Sequence, residues 1–529
     1  MAFFQHIFAY LNTGDGLIIK PQLMLLIFGI GILLTDYFME PGLKYFNALM
    51  AMAGVVFSGI TLYQISKIAA VAGDRQFGFF NNDQPANPSL IVDHFSLFFG
   101  MIFLSATALI ILLSVRYMEI EQEDHGEFYA LMLFATIGMM FMVEGLDLIV
   151  QFIGLETMAL SFYVLVGFLR RERRSNEAAL KYLLLGAFSS GIFAYGLSLI
   201  YGLTGSTNLF IIGARLPALV HSEYKPVAII ALLTTITGLL FKIAAIPFHQ
   251  WAPDAYEGAP TSITGFMSVA VKAAGWAMLL RILGFSYEIN GRVVSWGLIS
   301  MRPIYVPLLV FVSIATMTGA NFAALTQTNT KRLLAYSSIA HVGYMLLGLV
   351  AGTAAVLSPD GIKGILIYLL VYTFMNLGAF AVITSLRHRN VIGDELDDLN
   401  GLYSRAPVEA VLMLIFMLSL AGIPPLAGFW GKYFIFLSLI ETGHYALASL
   451  GVLYSVFGLY YYLKIANAMF MGKVEKGQEK LPISFTMRAA LGLTALATLY
   501  IGILPNQFIE LVNWALGIAQ NPAVAKLTH

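Results

Sequence analysis

The sequence predicts an all-α membrane protein of about fourteen transmembrane helices, because apolar runs of about 20 residues recur along the whole chain, each long enough to cross a hydrocarbon core about 30 Å thick. Two further observations agree. Of 529 residues, 59% are hydrophobic and 11% charged, too few charges to cover a soluble domain of that length. The mean hydropathy is +0.79. No charged linker, low-complexity tract or polar block separates the runs, so residues 1–529 read as one polytopic membrane domain.

The runs fall at 21–38, 45–65, 92–115, 127–143, 148–168, 178–201 and 227–249 in the first half of the chain. They continue at 260–283, 303–324, 331–350, 362–386, 410–437, 445–471 and 486–503. Beyond them, residues 507–520 carry Phe508, Leu511, Trp514 and Leu516 and suggest a short interfacial amphipathic piece. At the start, Phe3, Phe4, Phe8 and Tyr10 stand without a basic region or small-residue cleavage site, so a retained N-terminus is expected.

Composition also narrows the chemistry. Cysteine is absent, which removes Cys-ligated iron–sulfur clusters, thiol redox chemistry and disulfides from this chain. A formal net charge of +0 gives nucleic acid no electrostatic footprint. No metal-ligand cluster, Walker loop, nucleophile elbow or dinucleotide fingerprint occurs. Independent enzymatic chemistry is not expected.

Basic residues in short loops set the orientation. Arg170, Arg171, Arg173 and Arg174 follow the fifth span, Lys331 and Arg332 precede the tenth, Arg387 and Arg389 follow the eleventh, and Lys473, Lys476 and Lys480 follow the thirteenth. By parity all four loops share one side, expected to be cytoplasmic, against Arg281, Arg292 and Arg302 on the other. Both termini then lie on the outer, periplasmic side, with a bacterial inner membrane as the natural host.

Two spans contain breaks. In GLLFKIAAIPFHQW (238–251), Pro247 removes a backbone donor and clashes with the preceding turn. In LAGIPPLAGFWGKY (420–433), Gly422, Pro424, Pro425 and Gly428 cluster at mid-span. Broken helices persist in a membrane only where protein or a water-filled cavity satisfies the freed backbone groups. These are the seventh and twelfth spans, five apart, and a five-helix unit inverts its orientation when repeated. The spacing therefore predicts two inverted repeats, 127–283 and 303–471, each with a broken helix on the transport path.

Ionisable residues inside the apolar runs are costly and mark function by default. Glu156, in LIVQFIGLETMALSFYVLVGF, lies about three helical turns before the arginine cluster, too deep for a short side chain to reach the interface. Lys242 sits in an apolar run, with His249 seven residues on and therefore on the same face of a continuous helix. Lys272 is deep in the eighth span with Ser268 one turn away, and Lys432 follows the Pro-Pro break between two glycines and Tyr433. Lys181 follows Glu177 by one turn, so an ordinary i,i+4 ion pair and a relay role both fit. His341, among Tyr336, Ser337, Ser338 and Tyr344, fits either a packed hydrogen-bonding residue or a relay. Dehydration disfavours an ammonium and a nearby carboxylate favours it, so a Glu moving relative to Lys242 binds or releases a proton there. A row of such groups can carry protons.

At these residues the chain resembles the antiporter-like subunits of respiratory complex I and the Mrp-type cation/proton antiporters. The matching stretches are FIGLETMALSFYVLVGF (152–168), EAALKYLLLGAFSSG (177–191), FKIAAIPFHQWAPDAYEGAPTSITGFMSVAVKAAG (241–275), KRLLAYSSIAHVGYMLLG (331–348) and LSLAGIPPLAGFWGKYFIF (418–436). Within the family the chain looks most like the N-type branch. It has YEGAPT at 256–261, and FMSVA where the L-type branch carries an HAATM-type segment. It has Lys432 where the M-type branch has a glutamate, and no long lateral helix after the last span.

The resemblance implies roles residue by residue. Glu156 and Lys242 become an input pair, Lys272 the central relay, Lys432 the output site, and Lys181 and His249 accessory groups. It implies that quinone reduction elsewhere in a complex drives the protons. Quinone, NADH, FMN and iron–sulfur clusters would then sit in partner subunits, and this chain would hold no cofactor. An adjacent antiporter-like subunit, small membrane subunits and lipids become the expected partners. A sodium/proton antiporter subunit of the Mrp type is the alternative, which the lack of extra carboxylates along the row disfavours.

Overall fold

The computed structural model describes residues 14–71, 77–79, 88–284, 286–289, 292–351, 358–387, 394–473 and 484–517. The N-terminal Phe3, Phe4, Phe8 and Tyr10, and Arg389, Lys476 and Lys480 from the orientation argument, lie outside them. The described chain is almost entirely helical, since a backbone without water must pair its own N–H and C=O groups.

In chain order the main helices are α1 (Lys20–Asp36), α2 (Tyr45–Val71), α3 (His94–Glu121), α4 (Gly126–Glu144), α5 (Leu148–Val166), α6 (Arg173–Thr204) and α7 (Leu209–Val220). Next come α8 (Lys225–Lys242), α9 (Trp251–Gly258), α10 (Thr261–Leu283), α11 (Arg302–Leu325), α12 (Thr330–Val350) and α13 (Pro359–Leu386). Last are α14 (Pro407–Ala421), α15 (Ala427–Glu441), α16 (Tyr445–Met471), α17 (Phe485–Ile503) and α18 (Asn506–Ala515). Small antiparallel ribbons pair 77–79 with 90–92 and 286–289 with 292–295.

Twelve of the described helices are long and apolar enough to cross a membrane. The expected first span is α1, of 17 residues, and the expected twelfth is divided into α14 and α15, of 15 residues each. The tail piece is α18, whose Trp514 ring packs 4.4 Å from His94 at the start of α3.

Small residues set close helix contacts in both halves of the chain. Gly138 and Gly154 let α4 and α5 touch backbone to backbone, and a Cβ on Gly138 would stand 2.6 Å from the Gly154 carbonyl. Likewise a Cβ on Gly343 of α12 would stand 2.9 Å from the Met317 nitrogen of α11. Gly196 of α6 lies against Thr235 of α8, and Gly364 of α13 lies against Ile435 of α15. Asp147, capping α5, bridges to Asn208 after α6; Asn329, capping α12, bridges to Glu395 after α13.

At the centre, α10 is buried along its entire length, and α12 and α13 nearly so. These three helices meet protein on every side. The outer face of α16, by contrast, exposes Val452, Leu453, Val456 and Tyr460.

Candidate functional site

The first break is a full interruption of the helix. Helix α8 stops at Lys242, five residues before Pro247, and Ala244 adopts a positive φ of 61°. Hence Lys242 and His249 do not share a helical face; seven-residue spacing has meaning only in an unbroken helix. The freed backbone groups find local partners. Trp251 Nε1 donates to the Phe241 carbonyl (2.9 Å), Ala245 N to Leu240 O (2.9 Å) and Ile246 N to Thr316 Oγ1 (3.1 Å). His249 is half-buried, its Nδ1 meeting no protein partner and its ring 6.5 Å from Tyr336.

Lys242 closes α8 with a buried Nζ that meets no protein acceptor, above the Phe241 ring at 5.9 Å. Glu156 on α5 is the carboxylate within electrostatic reach of it. Glu156 is half-buried, and one of its oxygens is buried without a hydrogen-bond partner.

Lys272 begins the second part of α10, directly after a turn of π-helix at Met267–Val271. A π-turn inserts an extra residue and rotates the face that follows, and such turns concentrate at functional sites. Ser268, one turn away, is not the partner of Lys272. Ser268 instead accepts from Asn376 of α13 (2.7 Å), and Lys272 Nζ donates to the Ser338 carbonyl (2.8 Å) and to Ser338 Oγ on α12.

One turn along α12 stands His341, fully buried and central. Its Nε2 meets Tyr462 OH of α16 (2.8 Å) and its Nδ1 meets Tyr368 OH of α13. Tyr462 OH also bonds Ser337 Oγ, and the Tyr372 ring stands edge-on to the imidazole at 5.3 Å. Lys272 and Lys432 both lie within electrostatic reach of His341.

At the second break α14 ends at Ala421 with Gly422 at φ 86°. From α15, Lys432 reaches back across the gap. Its Nζ donates to Leu420 O (3.2 Å), Ala421 O (2.8 Å) and Ser455 Oγ (2.8 Å), with the Tyr344 ring 5.1 Å away. The last carbonyls of a helix carry partial negative charge, so an ammonium suits this position. Gly428 N donates to Ser419 Oγ (3.1 Å), which closes part of the remaining backbone account. Pro424 and Pro425 occupy the turn between the half-helices, as Pro247 does in the first break.

Lys181 stands apart from this row. It is exposed and ion-paired with Glu177 (2.8 Å) and Asp254 (2.9 Å), at a cavity of about 250 Å³ also lined by Arg174, Glu257 and Arg332. Arg332 joins Asp254 (2.6 Å) and Glu257 (2.9 Å). Burial works against the Asp254 carboxylate, but Lys181 and Arg332 outweigh it and hold that carboxyl below its ordinary range.

Several buried polar groups escaped the sequence reading. Arg281 is a fully buried partner of Asp93, by two hydrogen bonds of 2.5 and 2.8 Å, and donates to Val143 O (2.9 Å). Beside it, Glu144 accepts from Gln22 of α1 (2.5 Å). Arg302 donates to the carbonyls of Leu349, Val350 and Ala351 at the end of α12. Two of the three basic residues that ran against the orientation count are therefore structural. Only the Asp-His-Phe-Ser start of α3, an N-cap, hints at Asp93 in the sequence.

Among the described residues no group of three or more His, Asp or Glu side chains is placed to hold a metal ion. The arrangement sets titratable side chains on α5, α8, α10, α12 and α15, namely Glu156, Lys242, Lys272, His341 and Lys432.

Comparison with known proteins agrees with that architecture. Residues 145–458, more than half the chain, match the family described as NADH:quinone oxidoreductase/Mrp antiporter, TM. The chain is 59% identical over 522 residues to "NADH-quinone oxidoreductase subunit N 1" of Koribacter versatilis, covering 98% of both chains. A chain of respiratory complex I from Thermus thermophilus superposes with a TM-score of 0.73 at 30% identity, over 93% of this chain and 98% of that one. A chain of the Mrp complex from Dietzia shares the fold, with a TM-score of 0.78 over 97% of this chain and 99% of that one, at 20% identity.

Proposed function

The chain belongs to the NADH:quinone oxidoreductase/Mrp antiporter membrane family, and from that premise we propose that it is the proton-translocating, antiporter-like membrane subunit of a complex I-type NADH-quinone oxidoreductase. The observation that carries the reading is the set of buried Lys242, Lys272, His341 and Lys432 with half-buried Glu156, borne on five different helices of one bundle. Such groups are expensive inside a membrane and mark function by default.

In this reading Glu156 and Lys242 take up the proton and Lys272 and His341 pass it across the middle. Lys432 then delivers it to the outer side. Unpaired Lys242 changes its charge at no cost in protein hydrogen bonds, so the Glu156 carboxylate governs when it does so. His249 and Lys181 are accessory, at the break and at the inner rim.

Fourteen spans follow if α1 and the α14–α15 pair each cross the membrane. The paired glycine contacts and paired bridges support two inverted repeats, 127–283 and 303–471. Inner-membrane residence with both termini outside follows from the basic loops. Quinone, NADH, FMN and iron–sulfur clusters belong to partner subunits, among them an adjacent antiporter-like subunit and small membrane subunits.

The Mrp alternative shares the fold, so the test must separate coupling from architecture. In proteoliposomes holding the whole complex, Lys272→Ala is expected to lower protons moved per electron, with no dependence on Na⁺. Native pumping and native quinone reduction in that variant would refute the relay. Na⁺-driven proton exchange in cells lacking a quinone reductase would favour the Mrp reading instead.

A further inference from the structure

Between Lys272 and Lys432 the structure holds a hydrogen-bonded segment, Ser337–Tyr462–His341–Tyr368, whose hydroxyl members the family resemblance did not supply. His341 is clamped between two tyrosine hydroxyls from different helices, Tyr462 of α16 on Nε2 and Tyr368 of α13 on Nδ1. Tyr462 continues to Ser337, and Ser337 adjoins Ser338, on which Lys272 ends. At the far end the Tyr368 backbone is packed against Gly431, where a Cβ would stand 2.9 Å from the Tyr368 Cα, one residue from Lys432. All of these side chains are buried.

A neutral imidazole has one N–H and one bare nitrogen, and a tyrosine hydroxyl can donate and accept. Two hydroxyls on opposite ring nitrogens therefore match a neutral histidine in either tautomer. From this geometry we infer that Tyr462 and Tyr368 are relay residues, and that the proton crosses from Lys272 to Lys432 through a tautomer exchange of His341.

This rests on the relay reading above and adds its path. A proton entering from Ser337 binds the Tyr462 oxygen as Tyr462 gives its own proton to bare Nε2. The proton on Nδ1 passes to the Tyr368 oxygen, and the proton Tyr368 held leaves towards Lys432. Only O–H and N–H bonds change, and every member of the chain ends neutral. Rotation of the hydroxyls and return of the tautomer reset it. No member needs to become an isolated ion in a dry interior, where charge is costly.

The experiment uses the whole complex in proteoliposomes, with protons per electron read alongside NADH-driven quinone reduction. Tyr462→Phe and Tyr368→Phe keep the rings and remove the hydroxyls. Each is expected to lower the ratio, or in a strictly coupled machine the rate with it, to the level of His341→Ala. Ser337→Ala, at the edge of the chain, is expected to give a smaller loss. If both tyrosine variants pump like the native complex while His341→Ala does not, the wire is wrong and the relay stands. If His341→Ala also pumps natively, the relay itself fails. Should Tyr462→Phe not assemble, Tyr368→Phe and Ser337→Ala, on other helices, decide the matter by the same readings.

Discussion

Lys242 ends its helix with an ammonium that meets no protein acceptor, whereas Lys432 lies across its break on two helix-terminal carbonyls and a serine. Both lysines are buried beside a Pro-containing interruption. The first belongs to the half-helix that stops; the second belongs to the half-helix that restarts and reaches back. A charge without hydrogen bonds depends on a counter-ion, here Glu156, and a charge capped by fixed dipoles does not. In the relay proposed above, that difference suits Lys242 for loading under control and Lys432 for holding a proton until it is released.

That contrast can be tested most strongly by making both lysines apolar. Lys432→Met leaves Leu420 O, Ala421 O and Ser455 Oγ without their donor, at about 1–3 kcal/mol for each acceptor left bare. Lys242→Met breaks no protein hydrogen bond and is expected to cost less. Thermal release of this chain from the purified complex should therefore come earlier in the first variant than in the second. Equal effects would erase the distinction.

The glycine at the second break gives a smaller effect. Gly422 sits at φ 86°, and a Cβ there would stand 2.9 Å from Lys432 Cδ. Gly422→Ala should cost about 1–2 kcal/mol in backbone conformation and displace Lys432, seen as reduced thermal stability. At the first break the corresponding residue is Ala244 at φ 61°. There Ala244→Gly should stabilise by about 0.5–1 kcal/mol, because glycine relieves the left-handed conformation but gains freedom when unfolded.

The inner rim should respond least. Asp254, held below its ordinary 3.8 by Lys181 and Arg332, stabilises the fold fully above the unfolded value. That contribution is lost as pH falls through the lowered folded value. Exposed partners and salt keep it small. Asp254→Asn should flatten the acid limb of the stability profile slightly, and high salt should mask the change.

The parts of this account that were legible in the sequence share one physical property, expense. Glu156, Lys242, Lys272 and Lys432 stand out because a charge in an apolar run costs enough to need a reason. Prolines and glycines marked both breaks for the same reason. The conformation of the first break was not legible, since seven-residue spacing from Lys242 to His249 assumed a helix that has already ended. Nor was the π-turn before Lys272, which no residue pattern marks.

The hydroxyl chain was hidden because Ser337, Tyr368 and Tyr462 are unremarkable in a membrane helix until a neighbour defines them. Glu144 and Arg281 were hidden by their places near span ends, where a charge usually has water. Arg281 is instead satisfied by Asp93, which only tertiary structure brings near.

The central claim is that a proton enters the relay at Lys242 under the control of Glu156. The measurement that meets it most directly is protons moved per electron in proteoliposomes of the whole complex carrying Lys242→Ala, with assembly checked by the amount of this chain retained. The expected result is an assembled complex whose proton-to-electron ratio, or tightly coupled rate, falls by this chain's share, and Glu156→Gln should match it. An assembled Lys242→Ala complex with native ratio and native quinone reduction would contradict the account.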